Sequence, residues 1–214
     1  MYVDHVICGV VDIEAAARSL REEFGLGSVP GGIHLGGTTN LLVPLAPPTF
    51  LELLGVGDPS LGDGAWLSNA LAGQDRVLWW VVGVADLDET ARRRGLPVQS
   101  GSMEMSDGSS SRFRTAGMNR YPLPFFISYG ITPEARRQLW ETRYRQAEHS
   151  CEPGAFTFVG TGEDPALLDA WLGDHGLPVR QVPGAPGINT VGIETARGEV
   201  VIGPGLRPSG REVT

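Results

Sequence analysis

A histidine and a carboxylate sit far apart along the chain, each inside an apolar run that reads as a β-strand. His5 lies in Asp4-His5-Val6-Ile7, and Glu52 lies in Phe50-Leu51-Glu52-Leu53-Leu54. An unpaired buried carboxylate is costly, so Glu52 requires a cation, a histidine or a ring of donors. A neutral imidazole and a carboxylate suit Zn, Mn, Ni or non-haem Fe. A facial triad needs one further ligand, which His34 or His149 supplies if a loop brings either one close. Without a metal, the same pair can act as base and orienting partner in proton transfer, or form a plain hydrogen bond in the core.

Further candidates surround this pair. His34 is flanked by glycines at 31, 32, 36 and 37, and such a segment lets backbone approach a ligand closely. The expectation is a loop at a cavity mouth with His34 polarising a carbonyl; the plainer alternative is a tight turn with an exposed histidine. Asn40 either orients a ligand or satisfies a strand edge. Trp79, Trp80, Phe125 and Phe126 alternate along two strands, so one of each pair faces a cavity and the other faces helices. Trp79 and Phe126 are taken as substrate-contacting. Arg112 and Arg114, two apart on a strand, share a face and either grip an anion or line a solvated edge.

Composition narrows the chemistry. Within the 214 residues, all 17 basic side chains are arginine, which excludes Schiff-base lysines and the P-loop lysine. No nucleotide cofactor is expected. The net charge of -8 carries no basic block, so nucleic acid is not an expected partner. Two cysteines, Cys8 and Cys151, form no disulfide framework. The start lacks a signal-peptide pattern, and the longest apolar run is too short to span a bilayer. A soluble cytoplasmic protein without membrane association is expected.

The elements that must position these residues repeat. Val6–Val10 reads as a strand and Ile13–Phe24 as an amphipathic helix, with Asp12 as N-cap and Gly25 as stop. A shift of 74 residues carries Gly9, Asp12 and Arg18 onto Gly83, Asp86 and Arg92. A fainter copy follows: Gly95-Leu96-Pro97-Val98 recurs as Gly176-Leu177-Pro178-Val179. After each helix come three strand-like stretches, so each unit reads β-α-β-β-β. The expected organisation is two units over 1–130, a helical linker over 131–152 opening at Thr132-Pro133, a third unit over 153–203, and a tail over 204–214.

Four segments carry a resemblance: Asp4-His5-Val6, the glycine-rich stretch from Gly31 to Asn40, Phe50-Leu51-Glu52-Leu53, and Leu123-Pro124-Phe125-Phe126-Ile127. They resemble the glyoxalase-like subgroup of the vicinal oxygen chelate superfamily. That resemblance implies an α+β fold of βαβββ units, whose curved mixed sheets form a cup around a small organic molecule. In metal-using members the ligands lie on the first and last strand of each unit. Carried over, those positions are His5 and Glu52 in the first unit, and Trp79 and about Phe126 in the second, where neither side chain binds a cation. The implied function is a small-molecule enzyme acting next to a carbonyl, of lyase, isomerase or oxygenase type, with a divalent metal if a third ligand is found. The alternative is a non-catalytic protein that sequesters a drug or metabolite. An odd number of units leaves one to pair across a homodimer.

Overall fold

The computed structural model describes residues 1–105 and 108–206. The chain runs β1 (Tyr2–Val10), α1 (Ile13–Phe24), β2 (Val29–His34), β3 (Thr38–Pro44), β4 (Phe50–Val56) and α2 (Gly62–Leu71). It continues β5 (Arg76–Gly83), α3 (Leu87–Arg94), β6 (Val98–Met105), β7 (Ser110–Ala116) and β8 (Phe125–Tyr129). Then follow α4 (Pro133–Gln146), β9 (Pro153–Thr161), α5 (Pro165–Leu172), β10 (Val179–Gln181), β11 (Ile188–Thr195) and β12 (Val200–Ile202).

The repeat read from the sequence is visible in the caps. Asp12 accepts from Ala15 N at 2.9 Å and Asp86 accepts from Glu89 N at 2.9 Å. Each helix ends on a left-handed glycine, Gly25 at φ 74° and Gly95 at φ 63°, a conformation a Cβ disfavours. The eight strands β1 to β8 close into a barrel in the order β1-β4-β3-β2-β6-β7-β8-β5. In each half the first strand pairs in parallel with the last, β1 with β4 and β5 with β8. The halves join through antiparallel β1–β5 and β2–β6 ladders. The fold is therefore α+β, with curved mixed sheets enclosing a cavity.

Alternation on the strands separates two apolar layers. Val6, Cys8, Val10, Leu51, Leu53, Trp80 and Val82 face outward into a core shared with α1, α3 and the C-terminal sheet. Ile7, Leu54, Trp79, Val81, Phe125 and Ile127 face the other way, where α2 adds Leu67 and Leu71. The helix α2 lies in a stretch with no strong helical stripe, and its N-cap Leu61 makes no side-chain cap bond. Its first turn is held instead by the β2–β3 connection, because Asp63 N and Gly64 N both donate to Gly36 O. A Cβ at Gly36 would overlap the Asp63 carboxylate.

The C-terminal segment repeats the element order but not the pairing. Its sheet runs β10-β9-β11-β12, so β9 sits between β10 and β11 rather than beside the last strand. In the barrel halves the strand after the helix lies three places away from the first strand. Here the short crossover through α5 lays three-residue β10 directly against β9 in parallel. The segment packs on the barrel through one shared core: Phe156, Val159, Leu168, Leu172, Val191 and Ile193 belong to the same cluster as Val6 and Trp80. Arg94 reaches from α3 to Trp171 O and Leu172 O, both at 2.7 Å, and so caps α5. At the start of the expected tail, Pro204–Leu206 form a 3-10 turn with Leu206 buried, and Gly205 N donates to Asp75 O at 3.1 Å. Residues 207–214 lie outside the described part. Among the described residues, no helix is long and apolar enough to cross a membrane.

Candidate active site

The barrel encloses an open cavity of about 1290 Å³, larger than a usual small-molecule pocket. His5 and Glu52 both line it. The parallel β1–β4 ladder places Ile7 opposite Glu52 and His5 opposite Phe50, so the histidine and the acid occupy one face, one step apart. His5 Nε2 lies 3.5 Å from Glu52 Oε2, and both residues are buried. The other carboxylate oxygen, Oε1, accepts from Asn40 Nδ2 at 2.5 Å. Asn40 is fixed in turn, since Gly32 N donates to its Oδ1 at 2.8 Å. A Cβ at Gly31 would overlap that same amide oxygen. The glycines ahead of His34 thus admit the asparagine that holds Glu52.

Behind His5 lies a buried network that the sequence did not single out. Asp4, fully buried, accepts from His5 Nδ1 at 2.7 Å, from Tyr129 Oη at 2.9 Å, from an Arg136 guanidinium nitrogen at 2.8 Å and from Tyr2 Oη at 3.1 Å. Burial pushes the Asp4 pKa up. The hydrogen bond and charge of His5, the Arg136 guanidinium and Tyr129 outweigh it and hold Asp4 below the usual carboxylate range. Burial beside this carboxylate, partly opposed by Arg136, raises Tyr129 well above its ordinary value and raises Tyr2 as well. Both phenols therefore stay protonated donors. An ionised Asp4 fixes a proton on Nδ1 of His5, so Nε2 is the nitrogen presented to Glu52 and the cavity.

Arg136 comes from α4, expected only as a linker. That helix also lays Trp140 on Phe50 at 4.1 Å, and Phe50 stacks on His5 at 4.5 Å, each pair with ring planes 15° apart. The signal for these roles was available in part: Arg136 and Trp140 are four apart on one face of α4. Only the fold shows that this face closes the Asp4 end of the barrel.

The remaining candidates separate. Trp79 lines the cavity, with its indole N–H held by Leu123 O at 2.6 Å. Phe126 does not line it: the ring is fully buried on the outer side, 5.6 Å from Trp171, with Arg94 over its face. The β5–β8 register pairs Val81 with Phe125 and Gly83 with Ile127, which makes Phe125 the counterpart of Glu52. A one-residue slip in the expected correspondence exchanged the two faces. His34 is half-buried at the rim, with Nδ1 2.8 Å from Thr38 Oγ1. Arg112 and Arg114 are exposed, alternate with Phe113 on β7 and are among the residues lining the cavity; Arg114 forms a forked pair with Asp88 of α3. His149 is away from the cavity, where its Nδ1 accepts from Gly27 N at 2.9 Å.

These positions also test the metal expectation. His5 Nε2 and Glu52 Oε2 are two donors; the facing strands offer Trp79 and Phe125, and Asp4 is committed to four other groups. Among the described residues, no group of three or more His, Cys, Asp or Glu is arranged to hold a metal ion. The donor set does not fit a three-ligand centre, so the chemistry below is routed through the side chains alone.

A family model described as a glyoxalase-like domain matches residues 3–176. The chain belongs to that family. It is thereby a member of the vicinal oxygen chelate superfamily. Among solved structures, a hypothetical protein from Staphylococcus aureus has a TM-score of 0.67 at 12% identity, covering 92% of each chain; that likeness is one of fold. The methylmalonyl-CoA epimerase of Streptomyces coelicolor shares 20% identity over 60% of this chain and 97% of its own, with a TM-score of 0.47. The corresponding enzyme of Mycobacterium tuberculosis shares 18% identity over 62% of this chain and 89% of its own, also with a TM-score of 0.47. No curated protein matches the sequence.

Proposed function

We propose that this glyoxalase-like chain is a small-molecule enzyme that moves a proton at the carbon next to a carbonyl. One observation carries the reading: a buried carboxylate and an imidazole share the wall of a large cavity, with Nε2 and Oε2 3.5 Å apart. Glu52 is the base. Asn40 fixes its Oε1 and leaves Oε2 for the substrate proton. His5, held by Asp4 through Nδ1, receives or returns that proton through Nε2. His34, which lines the same cavity, polarises the carbonyl oxygen as negative charge develops on it. The substrate is an oxygen-bearing organic molecule enclosed by the apolar walls of Trp79 and Phe125.

The aromatic side of the cavity favours a second reading, in which the protein sequesters an organic ligand without reacting. Turnover separates the two. A panel of hydroxyketones and keto acids is assayed for isomerisation with the wild type and with Glu52→Gln. The enzyme reading expects conversion of at least one compound, abolished in a folded Glu52→Gln protein that still binds it. Equal turnover by the two proteins removes Glu52 from the mechanism; tight binding with no conversion by either supports sequestration.

A further inference from the structure

The cavity mouth carries exposed aromatic rings that the proton-transfer scheme does not use. Trp66 of α2 is 39% exposed and Tyr121, in the β7–β8 connection, is 48% exposed. Both line the cavity. Their ring centroids lie 5.8 Å apart with planes at 84°, so they form a corner. Trp79 backs that corner, 6.2 Å from Trp66 and 5.3 Å from Tyr121. From Trp79 the line of rings continues inward to Phe125 at 4.7 Å, and Phe125 lies 6.5 Å from His5. An unbroken row of rings therefore runs from solvent to the imidazole.

We propose that the Trp66–Tyr121 corner seats a flat aromatic ring, so that the substrate is a carbonyl compound bearing an aryl group. This specificity rests on reading the cavity as a substrate site. The physical basis is the ring quadrupole, negative on the face and positive at the edge. A flat ring in a perpendicular corner stacks on one wall and meets the other edge-to-face, and both contacts are favourable. An organic cation is drawn to ring faces as well, and Asp63 lines the same cavity, so a cation is the competing occupant that the test must separate from the aryl ligand. The Trp79 indole is locked by its bond to Leu123 O, which keeps the back of the corner rigid. From the corner the row of rings leads toward the His5–Glu52 pair.

The test uses 2-hydroxyacetophenone and hydroxyacetone, which share a hydroxymethyl ketone and differ in the aryl group, with choline as the cationic probe. Binding to the full chain is read by ligand-observed NMR. The aryl ketone binds at least about tenfold more tightly than hydroxyacetone. Trp66→Ala and Tyr121→Ala, both at partly exposed positions, each reduce aryl ketone affinity severalfold and leave hydroxyacetone binding unchanged in protein that stays folded at the assay temperature. Equal affinity for the two ketones overturns the proposal, as does unchanged aryl ketone binding in both variants or tighter binding of choline. Glu52→Gln keeps the aryl preference, because binding is read apart from turnover. Ring-dependent binding without proton exchange in the wild type upholds the aryl seat while contradicting the catalytic role of Glu52.

Discussion

Asp4→Asn changes the buried network by one charge at nearly constant shape. In the native protein the Asp4 carboxylate is fully buried and accepts from four donors, including Arg136 at 2.8 Å and His5 at 2.7 Å. The asparagine keeps one acceptor oxygen and turns an amide toward donors, leaving the Arg136 guanidinium buried without its counter-charge. Removing one member of a buried pair costs about 3–5 kcal/mol. An unfolding free energy lower by about 3 kcal/mol is therefore expected from urea titration at pH 7. Arg136→Met alone should cost a similar amount. The double variant should be more stable than the sum predicts by about 1–3 kcal/mol, since the second change removes a group the first had already stranded. Acid sharpens the test. The folded-state pKa of Asp4 is depressed, so its stabilisation is present above the ordinary carboxylate pKa and is lost as pH falls through the folded value. Asp4→Asn should flatten that part of the acid limb. Catalytically, kcat should fall with little change in KM, because the proton on His5 Nδ1 is no longer specified. Additive single effects, or an Asp4→Asn loss below about 0.5 kcal/mol, would refute the coupling assigned to this network.

Phe126→Ala and Phe125→Ala remove buried rings and should each cost about 3–5 kcal/mol of stability, but only Phe125→Ala should also weaken ligand binding, which binding titrations on the folded variants check. His149 supplies an acid-labile element. Burial and the nearby Arg21 charge lower its pKa to about 4, so between the usual value near 6.5 and about 4 the unfolded chain binds the proton more readily. Stability is thus full above that window and falls with pH across it, by at most about 1.4 kcal/mol per pH unit before solvent screening. His149→Gln, followed by urea unfolding from pH 7 to 4, should show a shallower fall than the wild type.

Much of the fold was legible because its local signals agree. Asp12 and Asp86 as caps, Gly25 and Gly95 as stops, and the apolar runs of β1 and β4 all mark the same elements. Thr132 and Pro133 likewise open α4 where the sequence places its start. The helix α2 was not legible: its first turn is satisfied by the Gly36 carbonyl, a tertiary partner with no trace in its own residues. The pairing of the C-terminal sheet was hidden for a similar reason, since element order does not fix strand neighbours. At the candidate site, His5 and Glu52 were marked as a polar pair in apolar strands, and Asn40 lay in the glycine-rich segment that now packs against it. That Arg136 and Tyr129 meet at Asp4 was not legible, because a basic helix face and an aromatic at a strand end give no sign of a shared partner until the barrel closes around Asp4.

Deuterium entry from D2O at the carbon next to a ligand carbonyl, followed by proton NMR, tests the central role of Glu52 most directly. Wild-type protein should exchange that position far faster than buffer, and folded Glu52→Gln protein should return the rate to that of buffer while still binding the ligand. Wild-type exchange at the buffer rate for every carbonyl compound bound, or exchange undiminished in Glu52→Gln, would contradict the account.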